Sequence, residues 1–100
     1  MAVVPLMFNR DLMESLKTGK MRATTRTDKL AEPGDVFFYK KRKFEITKVY
    51  QKEFMDAVQS DFEINGFDTP TQMAMTISSY YPKLKPNTMM YVHEFREVKA

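Results

Sequence analysis

The sequence predicts an α+β fold: a small closed or nearly closed β-barrel with helices packed outside it. Three observations carry that prediction. The chain has 100 residues, enough for one hydrophobic core and so for a single domain over residues 1–100. Its apolar periodicity runs strand, helix, strands, helices, strand. The longer strand-like segments are apolar at both alternating sets of positions, so one face must fill an interior while the other lies beneath a helix.

Each element follows from local chemistry. Val3–Phe8 is an apolar run compatible with a first strand. Asn9 can cap a helix in which Leu12, Met13 and Leu16 recur at helical spacing before Gly19 stops it. Arg22–Arg26 is partly β-branched and reads as a short strand or extended loop. Pro33-Gly34-Asp35 is a turn, Val36–Tyr39 a strand behind it, and Lys40–Lys43 the tip of a hairpin. In the return strand Phe44, Ile46 and Tyr50 mark one face, and Thr47 and Val49 the other.

Asp56 opens an amphipathic segment with Ala57, Val58, Phe62 and Ile64, which ends at Asn65-Gly66. Thr69-Pro70 starts another helix in the favoured order of cap then proline. Met73, Ile77, Tyr80 and Tyr81 form one stripe of it, and Pro82 closes it. The chain finishes with Thr88–Lys99, where Met89, Tyr91, His93 and Phe95 alternate with Met90, Val92, Glu94, Arg96 and Val98.

Composition removes several function classes. At 43% hydrophobic and 29% charged residues, the chain belongs with compact globular proteins rather than disordered ones. With no cysteine, a disulfide scaffold, a thiolate zinc site and a cysteine nucleophile are all excluded. The single histidine rules out a multi-histidine metal site, so no metal is expected. Gly19, Gly34 and Gly66 form neither a Walker loop nor a dinucleotide fingerprint, and no nucleotide cofactor is expected. His93 stands alone among apolar residues of a strand and reads as structural rather than as a general base. The longest apolar run, residues 2–8, falls far short of the ~20 residues needed to span a bilayer and has no basic lead-in. The expectation is a cytoplasmic monomer without membrane contact.

Charge is unevenly placed. Residues 1–50 hold 11 Lys/Arg and 6 Asp/Glu, whereas residues 51–100 hold 5 and 7. Two basic groups stand out: Lys17, Lys20, Arg22 and Arg26, then Lys40, Lys41, Arg42 and Lys43. Gly19–Arg26 combines cations with the hydroxyls of Thr24 and Thr25. If Arg22–Arg26 is extended, Arg22, Thr24 and Arg26 share a face that can grip phosphate through charge-assisted hydrogen bonds. Equally, Arg26 can pair internally with Asp28 or Asp35 and only hold a loop.

The order and content of these segments resemble the ASCH family, a branch of the PUA-like superfamily. The resemblance covers nearly the whole chain. It lies in Leu16-Lys17-Thr18-Gly19-Lys20, Thr24-Thr25-Arg26, Pro33-Gly34-Asp35-Val36, Asn65-Gly66-Phe67-Asp68-Thr69, Tyr81-Pro82 and Tyr91-Val92-His93-Glu94-Phe95. It implies a barrel ringed by helices, a cleft beside the Gly19-Lys20 segment and a role in RNA-linked processes. Some small bacterial members are similar in length and are amidohydrolases of acetylated cytidine that use a lysine, a threonine and a glutamate. By position these fall on Met21, Thr24 and Asn65. A thioether and an amide cannot do the proton transfers of an ammonium and a carboxylate, although Lys20 and Glu63 lie nearby in sequence.

The reading is therefore an RNA-binding or nucleotide-ligand-binding domain with a basic cleft beside residues 19–26. Arg22 and Arg26 would contact phosphate, Lys20 would add attraction, and Thr24 would hydrogen-bond the ligand. Tyr80, Tyr81 or Tyr91 would stack on a base, and Lys40, Lys41, Arg42 and Lys43 would form an auxiliary patch. The alternative is an amidohydrolase of a modified nucleoside using Thr24 with Lys20 and Glu63. A protein–protein adaptor is a third possibility, and it requires internally satisfied arginines and an exposed apolar patch.

Overall fold

A computed structural model describes residues 2–99. The elements are α1 (Arg10–Lys17), β1 (Ala23–Arg26), β2 (Val36–Tyr39), β3 (Arg42–Glu53), α2 (Phe54–Asp61), α3 (Pro70–Tyr80) and β4 (Met89–Val98). The strands form one antiparallel sheet in the order β1-β4-β3-β2, curled into a half-barrel with helices against it. The α+β architecture is thus present, with the sheet a half-barrel rather than a closed one. No helix among the described residues is long and apolar enough to cross a membrane.

Both faces of the sheet are covered. On one face Ala23, Met90 and Val92 pack with Phe54, Ala57 and Val58 of α2 and Met73 and Ile77 of α3. On the other, Phe37, Phe44, Ile46 and Phe95 pack with Leu16 of α1 and Leu6 of the N-terminal segment. The Phe37 and Phe44 rings stack at 5.0 Å, and Phe95 meets both edge-on. Such pairs add about 0.5–1.5 kcal/mol each beyond the burial of their area.

Several boundaries differ from the sequence expectation, each for a physical reason. Val3–Phe8 is not a strand: Val3 makes one parallel bridge to Val36, and Pro5 has no N–H with which to continue a ladder. Asn9 occupies the N-cap of α1, yet its side chain makes no capping hydrogen bond. A bulge between Ile46 and Lys48 inserts Thr47 into β3, so Val49 joins Phe44 and Ile46 while Tyr50 turns to the opposite cluster. Helix α2 starts at Phe54, before Asp56. The Phe54 and Met55 amides donate to the Thr88 and Pro86 carbonyls at 2.8 and 3.0 Å, so a distant loop satisfies the first turn. It ends at Asp61, leaving Phe62 and Ile64 in the turn beyond. By contrast α3 starts as its sequence directs, with Thr69 Oγ1 accepting from the Gln72 amide at 3.1 Å and proline in the first turn.

Candidate ligand-binding cavity

The site is assembled where α1, β1 and the Asn65-Gly66-Phe67 segment meet. Met21 forms an antiparallel bridge with Asn65, its amide donates to the Ser15 carbonyl at 2.9 Å, and the Arg22 amide donates to Ile64. Gly66 makes this junction possible. Its φ is +88°, and a Cβ there would lie 3.0 Å from the Ser15 Cβ and 3.2 Å from the Met21 Cβ, so both conformation and space select glycine.

Beside this junction is a cavity of about 210 Å³. Met21, Thr24, Thr25, Arg26, Asn65 and Phe67 line one side, with Met7, Asn9 and Leu12 of the N-terminal segment and α1 and with Ile77, Tyr80 and Tyr81 from the end of α3. Its polar floor is pre-organised. Thr25 Oγ1 donates to Asn65 Oδ1 at 2.9 Å, and Asn65 Nδ2 donates to the Asp61 carbonyl at 2.9 Å. Arg26 Nε donates to Thr24 Oγ1 at 2.8 Å and Nη2 to the Met7 carbonyl at 2.6 Å, with the guanidinium 5.4 Å over the Phe8 ring. Burial pushes the Arg26 guanidinium below its usual range, with nearby Tyr81 opposing. It remains charged, because arginine starts so high.

His93 supports this floor from behind. Its Nε2 accepts from the Leu30 amide at 3.1 Å, which fixes the proton on Nδ1, where it donates to the Thr24 carbonyl at 3.2 Å. Burial holds His93 below its ordinary pKa; the bond to Thr24 opposes this and the Arg26 charge reinforces it. The neutral ring is therefore a positioning group for β1.

The structure divides the expected basic face in two. Thr24 and Arg26 line the cavity, but Arg22 precedes β1 and lies with Lys20, Glu63 and Asp68 in an open groove on the far side of Phe67. Lys20 is ion-paired there with Asp68. Neither Lys20 nor Glu63 lines the cavity beside Thr24, whereas Met21 and Asn65 do. Arg26 pairs with neither Asp28 nor Asp35; the Asp35 carboxylate instead accepts from the Ala2 and Glu32 amides at 3.0 and 2.8 Å. Tyr80 and Tyr81 reach the cavity, and Tyr91 is not among its lining.

The hairpin tip stands apart. Lys41, Arg42 and Lys43 share a surface with Glu97 and Lys99, and Lys40 lies over the Tyr39 ring at 5.5 Å. Arg42 is occupied structurally: it holds both Glu97 carboxylate oxygens at 2.9 and 2.8 Å and the Lys17 carbonyl at 2.9 Å. Thr24 pairs with His93, and Lys43 pairs with Val98, a separation along β4 of about 17 Å at strand rise. Sequence reasoning missed the contributions of Thr25, Met7 and Phe8. Thr25 was signalled by its hydroxyl in a polar strand, but nothing local marked Met7 and Phe8 as partners of Arg26. Among the described residues no three His, Asp or Glu side chains converge as a metal site would require.

No family model and no curated protein matches this sequence. Solved structures do match its fold. The crystal structure of hypothetical protein PH0355 is 16% identical with a TM-score of 0.69, covering 97% of this chain and 96% of that one. The ASCH domain from Lactobacillus crispatus JV V101 is 8% identical with a TM-score of 0.69, covering 96% of this chain and 78% of that one. The likeness establishes that this chain has the fold of an ASCH domain.

Proposed function

We propose that this chain, built on the ASCH-domain fold, binds RNA or a nucleotide-like ligand in the cavity between β1 and the end of α3. The observation that carries the reading is Arg26, a half-buried guanidinium that lines the cavity with two threonines and, among the described residues, no carboxylate. Among the described residues it is ion-paired to no acid. A cation so placed favours an anionic or acceptor-rich partner. Its bonds to Thr24 and Met7 use two of its N–H groups, so three of the five donors remain for a ligand. Thr24 Oγ1 accepts from Arg26 and keeps its own O–H to donate. Tyr81 and Phe67 supply aromatic wall.

Size narrows the ligand. The cavity, about 210 Å³, is below the roughly 300–1,000 Å³ that houses a drug-sized molecule. It admits one base, leaving the rest of a nucleic acid outside. Lys20 and Arg22 have a lesser part in this reading, since Glu63 and Asp68 in the same groove cancel their charge. The lysines of the hairpin tip would add only long-range attraction for ligands long enough to reach them.

The amidohydrolase alternative is less well supported. Thr24 shares its cavity with the Met21 thioether and the Asn65 amide, while Lys20 and Glu63 face the other groove. Among the described residues no ammonium or carboxylate is then at hand to transfer the protons of amide hydrolysis. Fluorescence anisotropy of labelled single-stranded RNA and tRNA at two salt concentrations tests the binding reading, with acetate release from acetylated cytidine measured alongside. Saturable, salt-sensitive binding that Arg26→Ala weakens, without acetate release, is the expected result. Absence of binding at low salt overturns the reading.

A further inference from the structure

We infer that the ligand is single-stranded RNA of at least two consecutive nucleotides, one base in the cavity and its neighbour laid on an adjoining groove. This rests on the binding reading above and gives it a substrate class. The groove, about 410 Å³, is lined by Tyr81, Pro82, Lys83 and Leu84 with Thr27 and Thr88, and shares its tyrosine wall with the cavity. A strand seated in both carries its connecting phosphodiester across that wall, with Arg26 on the cavity side and Lys83 on the groove side.

Charge decides for nucleic acid here. Among the described residues no acid lines either the cavity or the groove, and each contributes one cation. The Lys20–Arg22 groove carries Glu63 and Asp68 as well and so offers a phosphate chain no net attraction. Rigidity adds to the argument. Pro82 follows the last turn of α3, the Leu84 amide donates to the Tyr81 carbonyl at 3.0 Å, and the Lys85 amide donates to Thr88 Oγ1 at 2.9 Å. A platform already ordered loses little entropy when a base is placed on it. A free nucleoside places its base in the cavity and leaves this platform bare; a duplex keeps its bases stacked on one another and unavailable to both surfaces. Base–aromatic stacking tolerates any base, so the groove adds affinity rather than sequence choice.

Calorimetric titration of the intact protein with the four nucleoside 5′-monophosphates, the matching dinucleotides and dinucleotides lacking the second base tests the inference. Dinucleotides should bind about tenfold tighter than monophosphates, and removing the second base should abolish most of that gain. Lys83→Glu, at an exposed position, should weaken dinucleotides severalfold and monophosphates by clearly less. Arg26-dependent monophosphate binding with no gain from the second base overturns the inference and spares the cavity. If neither monophosphates, dinucleotides nor longer RNA bind, the binding reading itself fails.

Discussion

Two concave surfaces meet at Phe67, and by sequence the one that faces acids in the fold looks the more basic. The open groove holds Lys20 and Arg22, adjacent cations just after a helix stop. The cavity holds only Arg26. Yet Glu63 and Asp68 fold back onto the first groove, from a segment about forty residues away, and Asp68 takes Lys20. Among the described residues Arg26 meets no acid; its partners are a hydroxyl, a carbonyl and an aromatic ring. A count of cations along a segment therefore says less than what the fold brings to face them.

The sharpest way to break this comparison is to truncate the two arginines separately. Arg26→Ala removes hydrogen bonds to Thr24 and Met7 and the contact with Phe8, an expected loss of about 2 kcal/mol. It should also weaken RNA binding by at least about tenfold, because a hydrogen bond from a charged group is worth roughly that much. Arg22→Ala should change stability by less than about 0.5 kcal/mol and affinity little. Urea unfolding and anisotropy on both variants measure this, and Arg26→Lys separates charge from geometry by keeping the first and losing the fork. Equal weakening by the two alanine variants would show that the surfaces act as one site.

The second test concerns what holds the cavity floor. Burial lowers the folded-state pKa of His93, so the unfolded chain binds the proton more readily. The stability that neutral His93 contributes is complete above its unfolded value of about 6.5 and is lost as pH falls from there through the lowered folded value. Protonation also removes the Nε2 acceptor from the Leu30 amide. His93→Phe should cost about 2 kcal/mol at neutral pH, since it leaves the Leu30 amide without its acceptor and removes the side-chain bond to the Thr24 carbonyl. Urea midpoints across mildly acidic pH should decline for the natural protein and flatten for the variant. Matching slopes in the two proteins would assign the acid sensitivity to another group.

Much of the scaffold was legible because its signals are local. Thr69-Pro70 marks the start of α3, Gly19 with φ of +81° ends α1, and the hairpin tip falls at Lys40-Lys41. What sequence could not show depended on distant partners. The Thr47 bulge changes which residues of β3 share a face, and no nearby residue announces it. Arg22 leaves the Thr24–Arg26 face because its amide is drawn to Ile64, a contact across more than forty positions. For the cavity, the family resemblance pointed to Met21, Thr24 and Asn65, which do line one space. The Met7 carbonyl and Phe8 ring that engage Arg26 belong to a segment expected to be a strand, and nothing near them in sequence marks Arg26 as their partner.

The smallest expected effect is the most direct test of charge cancellation. Glu63→Gln with Asp68→Asn leaves Lys20 and Arg22 in place and removes the acids that face them. All four side chains are exposed, so stability should shift by less than about 0.5 kcal/mol. At low ionic strength the groove then gains two uncompensated positive charges a short distance from the cavity, and RNA should bind about two- to threefold tighter. At 0.15 M salt, where the screening length is about 8 Å, the gain should nearly vanish. Anisotropy at both salt concentrations separates the possibilities. A gain that persists at high salt would mean direct phosphate contact by Lys20 or Arg22, and the groove would then belong to the binding surface. No gain even at low salt would place the RNA path wholly on the tyrosine side of Phe67.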